Sequence, residues 1–176
     1  MAKYSFKSDL SVKRLDNLKK EILNYKNNIL KQKIQLFAKR LSEVGVEVAK
    51  ARASTLGAEF TGELINSIHT KDGGVSNGTA IFFIVADSNH AVFVEFGSGQ
   101  LGKEAPYPYP MPDGVQWDYN SGSTIIEFSP GQYGWFYPRD GKWYFTQGMP
   151  ARPFMYETSL ELQEKIVQIA REVFGK

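Results

Sequence analysis

The side chains placed to do chemistry are two histidines, His69 and His90, and five carboxylates set among aromatic residues, Glu95, Glu104, Asp113, Asp118 and Glu127. Two carboxyl groups flanking a glycosidic bond can share the general acid and general base roles, and Tyr and Trp rings stack on sugar faces. Region 104–145 therefore supports one reading as an enzyme or binding module for cell-wall polysaccharide. Against it, the sequence gives no distance between any two carboxylates, and aromatic residues in a β-hairpin ordinarily fill its faces. Neither histidine lies in an HExxH spacing or near a cysteine, so both read as ordinary polar positions. There is no cysteine at all, which removes disulfides, thiol catalysis and cysteine zinc sites. Gly97-Ser98-Gly99 lacks the downstream Gly-Lys-Ser/Thr of a phosphate-binding loop and is followed by no helical pattern, so it reads as a flexible strand exit. No GxSxG elbow is present. The expectation is a protein that is not an enzyme, with no catalytic residue, no cofactor and no metal.

The elements that would position these groups follow from periodicity. Leu15, Leu18, Ile22 and Tyr25 fall at steps of three and four from a helix start at about Asp16, a plausible N-cap. Asn27-Asn28 is a weak break. Leu30, Ile34, Phe37, Leu41, Val44, Val48 and Ala51 then predict an amphipathic helix of roughly 25 residues, interrupted only by Gly45. Residues 3–14 read as a strand or an arm. Gly57 and Thr61-Gly62 end the long helix, and Asp72-Gly73-Gly74 reads as a turn. The run Thr79–Ala86 is apolar and β-branched throughout, as in a strand covered on both faces. Ala91–Phe96 reads as a second strand paired antiparallel with it across Asp87-Ser88-Asn89.

Residues 100–147 change character. Pro106, Pro108, Pro110 and Pro112 alternate with Tyr107, Tyr109 and Met111, which predicts extended, irregular chain. Residues 124–128 and 142–145 read as strands, with Asp140-Gly141 as a tight hairpin turn. Pro150 and Pro153 forbid a helix before residue 153, and Pro153 suits a first helical position. Leu162, Ile166, Ile169 and Val173 then mark a final helix, which Phe154 would anchor to the sheet. The whole reads as one α+β domain, 1–176: long N-terminal amphipathic helices and a C-terminal helix on an antiparallel sheet, with 100–147 as an extended, hairpin-bearing insertion.

Net charge is +2, but residues 1–56 carry 13 of the 21 basic side chains and a balance of +8, leaving −6 for the rest. A DNA-contacting protein using the basic helix is thus a second alternative, though the basic residues are spread as on a solvated face and no DNA- or RNA-binding motif accompanies them. Nucleic-acid contact is not predicted. The N-terminus has no secretory pattern and no stretch reaches membrane-spanning length, so no membrane partner is expected.

Three short patterns occur in a fixed order: Thr61-Gly62-Glu63-Leu64-Ile65-Asn66-Ser67-Ile68, then Ala91-Val92-Phe93-Val94-Glu95-Phe96-Gly97-Ser98-Gly99, then Gly148-Met149-Pro150-Ala151-Arg152-Pro153-Phe154-Met155. Together they resemble the tail-component family of tailed bacteriophages, the small neck or tail-completion proteins. That family shows Thr-Gly-x-Leu-x-x-Ser-Ile, Val-Glu-Phe-Gly-Thr/Ser-Gly and Ala-Arg/Lys-Pro-Phe. The matching positions are Thr61, Gly62, Leu64, Ser67, Glu95, Phe96, Gly97, Pro150, Arg152, Pro153 and Phe154. The chain departs from the pattern before Thr61, where the family has a proline, and in the length of 100–147. The resemblance implies a virion structural protein, synthesised in the host cytoplasm, at the head–tail junction or completing the tail. Its partners would be other phage head–tail or tail proteins and further copies of itself in a hexameric ring, and a monomer in isolation is compatible with that. Glu95 is expected to pair with a basic residue, Arg152 being one candidate.

Overall fold

A computed structural model describes residues 11–57, 62–76, 78–120, 122–123 and 125–175. Most of the expected N-terminal arm (residues 3–10), Thr61 and position 124 lie outside the described residues. The fold is α+β, with two long helices and two small antiparallel sheets among the described residues. It divides into two compact units. The first comprises Met1–Val48, His69–Val85 and Ser159–Lys176; the second comprises Ala49–Ile68 and Ala86–Thr158. Among the described residues no helix is long and apolar enough to cross a membrane.

The first unit opens with α1 (Val12–Asn24), a single π-turn (Tyr25–Ile29) and the start of α2 (Leu30–Thr55). The helix begins earlier than Asp16. Ser11 stands at the N-cap position, its carbonyl taking the Leu15 N–H at 2.9 Å, and Asp16 lies inside the helix. Asn27-Asn28 does not break it either. The Leu30 N–H reaches back five residues to the Tyr25 carbonyl, so one extra residue is absorbed as a π-turn. Leu30 thereby takes the place an i+4 residue would have, and the stripe Leu15, Leu18, Ile22, Tyr25 runs on into Leu30, Ile34, Phe37.

β1 (Ile68–Ser76) and β2 (Thr79–Ala86) form a two-stranded sheet. Two residues connect them, which only an antiparallel pair allows. The expected turn at Asp72-Gly73-Gly74 is part of β1. Gly73 has no side chain because the Ile81 and Phe83 side chains lie over it, where a Cβ would come within 2.8 Å of both. β2 is not covered on both faces: burial alternates along it, with Ile81 and Phe83 exposed. Ile84 and Leu162 press against the backbone of α2 at Gly45, which explains a glycine inside a helix. α6 (Phe154–Phe174) runs antiparallel to α2 and ends with the Phe174 ring 5.7 Å from Phe37 and the Val173 carbonyl accepting from Lys33 Nζ at 3.2 Å. α1 lies beyond that end and contains no buried residue.

In the second unit the end of α2 buries Ala49 and Ala53, while Ala51 of the expected stripe is exposed. Gly57 closes the helix at φ +62°. Gly62, at φ +72°, leads into α3 (Glu63–Ser67), with Leu64 and then Ile68 buried. Residues 91–96, expected as a strand, are a helix, α4 (Ala91–Phe96). A second short helix, α5 (Gly99–Glu104), follows directly. β3 (Ile126–Ser129), β4 (Gln132–Arg139) and β5 (Lys142–Thr146) make an antiparallel three-stranded sheet in that order. Arg139 pairs with Lys142 across Asp140-Gly141, at φ +50° and +72°, the two-residue hairpin turn expected from the dipeptide. Phe128, Phe136 and Phe145 cluster on one face of this sheet at centroid distances of 4.7–5.7 Å. That face is not buried: Phe128 is 57% and Trp143 68% exposed.

Candidate functional site

The run Ala91-Val92-Phe93-Val94-Glu95-Phe96 is a helix whose buried residues are the adjacent Val94 and Glu95. The turn before it supplies the start: the Ala91 N–H bonds the Ser88 carbonyl at 3.0 Å and Ser88 Oγ accepts the His90 N–H at 3.3 Å. Gly97, at φ +81°, stops it. A strand would have set Val94 and Glu95 on opposite faces; the helix turns both inward.

Glu95, 7% exposed, faces the first turn of α6. Its Oε2 accepts the Met155 N–H at 2.9 Å and its Oε1 the Tyr156 N–H at 3.1 Å. These donors belong to the first helical turn and have no partner within the helix. The carboxylate is thus an N-cap delivered from 60 residues away, at the positive end of the helix dipole. The expected partner, Arg152, is not the one found; Arg152 contributes its backbone N–H, which bonds the Val94 carbonyl at 2.8 Å. The backbone donors win because Pro150 and Pro153 hold the chain extended up to the helix and leave its first N–H groups aimed outward. Pro153 sits one residue before the helix and its carbonyl takes the first intrahelical bond, from Glu157 at 3.0 Å. Phe154 is fully buried. Burial pushes the Glu95 carboxyl above its ordinary range against the pull of the two N–H bonds, and the charge of Glu157 adds to the rise.

The same two segments are joined by backbone. Ser98 pairs with Met149 and Gly99 with Gly148 in β-bridges. The contact is too close for side chains: a Cβ on Gly97 would lie 2.8 Å from the Ala151 nitrogen, and one on Gly148 would overlap the Ser98 carbonyl. Gly97-Ser98-Gly99 is therefore a buried splice rather than a flexible strand exit. The proline–tyrosine stretch wraps this junction. Tyr107 packs on Phe96 at 4.9 Å, Trp117 on Phe93 and Phe96 at 5.6 and 5.4 Å, and Tyr109 stacks on Tyr156 at 4.2 Å. Trp117 Nε1 donates to the Gly97 carbonyl at 2.9 Å. Burial, and then the charge of Glu95, push the Tyr107 phenol up to about 12.

The third motif is tied in through the loop that launches α4. Ser67 Oγ donates to the Leu64 carbonyl at 2.7 Å, and the Ser67 carbonyl takes the Asp87 N–H at 3.5 Å. Leu64 is buried in α3, and Gly62 stands at its N-cap position.

The remaining candidates are dispersed. Glu104, Asp113, Asp118 and Glu127 are exposed, and three of them bond locally: Glu104 to Gln100, Asp118 to the Asn120 N–H, Glu127 to the Gly131 N–H. His69 and His90 are exposed. Among the described residues no group of three His, Cys, Asp or Glu could hold a metal ion. Two residues that carry the arrangement were invisible in the sequence. Gln100 joins the sheet to α5 through the Tyr133 N–H, the Gly131 carbonyl and Gln147; Arg52 reaches Glu157 at 3.4 Å.

No family model, no curated protein and no solved structure matches this chain.

Proposed function

We propose that this chain is a structural protein of a tailed bacteriophage or prophage particle, placed at the head–tail junction or completing the tail, and that it acts by assembly and docking rather than catalysis. The observation that carries the reading is the junction of α4 and α6. Two of the three motif segments, some fifty residues apart in sequence, meet through the Glu95 cap and the glycine bridges. The motif residues with an unusual chemical character, a buried carboxylate and closely apposed glycines, are thereby spent on architecture. A buried acid already holding two backbone donors is a poor general acid or base, because either role requires it to give those bonds up. The test is electron microscopy of particles made without this protein: heads and tails that fail to join, or tails left unfinished, are expected, and normally joined virions would refute the reading.

A second reading is favoured by one cavity. About 460 Å³ of space in the second unit is lined by Tyr119, Tyr133, Trp135, Asp118, Asn120 and Lys103. Three rings with polar groups between them suit a saccharide. Tyr119 is also held at φ +63°, where non-glycine residues are rare. Tryptophan fluorescence titrated with cell-wall oligosaccharides, wild type against Trp135→Ala, tests it; no saturable change up to millimolar ligand would remove it.

A further inference from the structure

We infer that α1 of one copy docks on the outer face of α6 of the next copy, a head-to-tail contact between identical chains. The reasoning starts with α1 and its π-turn, Val12–Ile29. None of its residues is buried, yet it keeps an apolar stripe: Leu15 and Ile22 are exposed, with the half-buried Leu18 and Tyr25 beside them at the same heptad step. The stripe continues the one that α6 covers further along α2. Among the described residues α6 ends beside Phe37, so the exposed stripe extends a packed helix seam.

α6 has a complementary outer face. Leu160 and Val167 are exposed and seven residues apart, the same heptad repeat as Leu15 and Ile22. The lengths match, about 27 Å for Val12–Ile29 and about 32 Å for α6 at 1.5 Å per residue. Charge selects the pairing. Val12–Ile29 carries five basic and two acidic residues, whereas α6 carries four glutamates against Lys165 and Arg171. Two α1 helices side by side would bring Lys19 and Lys26 of one against the basic flank of the other. An α1 laid on α6 meets a helix of net acidic charge instead, with Glu164 one turn from both Leu160 and Val167 and Arg171 one turn past Val167. Each copy then offers one α1 and one α6 face in different places. Such a contact propagates from copy to copy, closing into a ring or extending as a filament. The inference deepens the assembly reading and rests on it for the setting in which copies meet.

The test uses the full chain. Sedimentation velocity of the wild type is expected to show association that strengthens with concentration and weakens with salt. Ile22→Glu and Val167→Glu each put a charge on one half of the contact, at exposed positions that leave the circular dichroism spectrum unchanged. Each is expected to weaken association about tenfold or more. The pair Lys19→Glu/Lys26→Glu is expected to weaken it too, and mixing with Glu164→Lys is expected to restore it. Because the chain has no cysteine, Ile22→Cys and Val167→Cys proteins mixed with a short bismaleimide should give a mixed dimer free of background. Three results overturn the contact: a wild type that stays monomeric to millimolar concentration with no cross-link; loss with Ile22→Glu but not with Val167→Glu, which means that α1 meets α1; and lysine variants that lose duplex DNA binding while sedimentation is unchanged. Any of these leaves the virion reading to the particle experiment, whereas joined particles made without the protein overturn that reading and leave the contact standing.

Discussion

Replacing Glu95 by alanine strips two backbone donors of their acceptor at the start of α6. A helix cap changed to alanine costs about 0.5–2 kcal/mol, and each buried donor left without a partner costs about 1–3 kcal/mol. Burial of the carboxylate offsets part of this, because the charged form is itself disfavoured there. Glu95→Ala is therefore expected to lose about 2–4 kcal/mol, and Glu95→Gln, which keeps one acceptor in place, about half of that. The pH dependence separates the two opposing forces. The folded carboxyl titrates above its unfolded value of 4.5, so the native state holds more protons through that window. Stability from this group is then fully present below pH 4.5 and is lost as pH rises through the folded value. Urea unfolding of wild type and Glu95→Gln from pH 4 to pH 7, with linear extrapolation, reads the difference directly. The advantage of wild type over Glu95→Gln should widen on acidification. An advantage that shrinks instead would mean that the two N–H bonds outweigh burial, and the account of the site would be wrong.

Three further outcomes are expected. Gly148→Ala, at φ +92° and against the Ser98 carbonyl, should cost about 3 kcal/mol or more in the same assay. Gly131→Ala, at φ +78° with open space around it, should cost only about 1 kcal/mol, and equal costs would remove the steric part of the argument. Tyr107, raised to about 12, contributes stability that is present below pH 10 and is lost as pH climbs toward 12. Tyr107→Phe should accordingly move the alkaline unfolding midpoint upward, and an unchanged midpoint would contradict the burial of the phenol. Deleting Asn27 should turn the π-turn into an ordinary α-turn and leave the apolar stripe aligned. Helicity at 222 nm should be kept and Tm should stay within about 4 °C; a collapse in helicity would refute the continuity of the stripe.

The parts of this fold legible in the sequence are those where a local period decides the outcome. α2, α6 and the Asp140-Gly141 hairpin follow from spacing and turn chemistry. Two failures of spacing are instructive. Steps of four and three follow a 3.5-residue repeat, which drifts about 20° per heptad on a straight helix. After three heptads Ala51 has turned out of the core, while Ala49 and Ala53 are buried. Ala91–Phe96 is six residues of mostly apolar chain, too short for period 2 and period 3.6 to be told apart. The site was half legible: Glu95, Gly97, Pro153 and Phe154 stood out by type and position. The partner of Glu95 did not, because a carboxylate next to a written arginine suggests an ion pair, and backbone N–H groups leave no mark in a sequence.

The anchoring of the β3–β5 sheet bears on how this protein can change. The chain leaves α5 toward the sheet after the Gly99 N–H has bonded the Tyr119 carbonyl at 2.7 Å, and it returns where the Leu101 N–H bonds the Gln147 carbonyl at 3.1 Å. Departure and return are fastened to the same turn of one short helix. Closing a loop costs only about 0.6 kcal/mol more for each doubling of its length. The excursion between those two bonds can therefore be shortened, lengthened or exchanged with little effect on what lies beneath it. The Glu95 junction stays fixed while the excursion between Tyr119 and Gln147 can change in length, because both of its ends are held by α5.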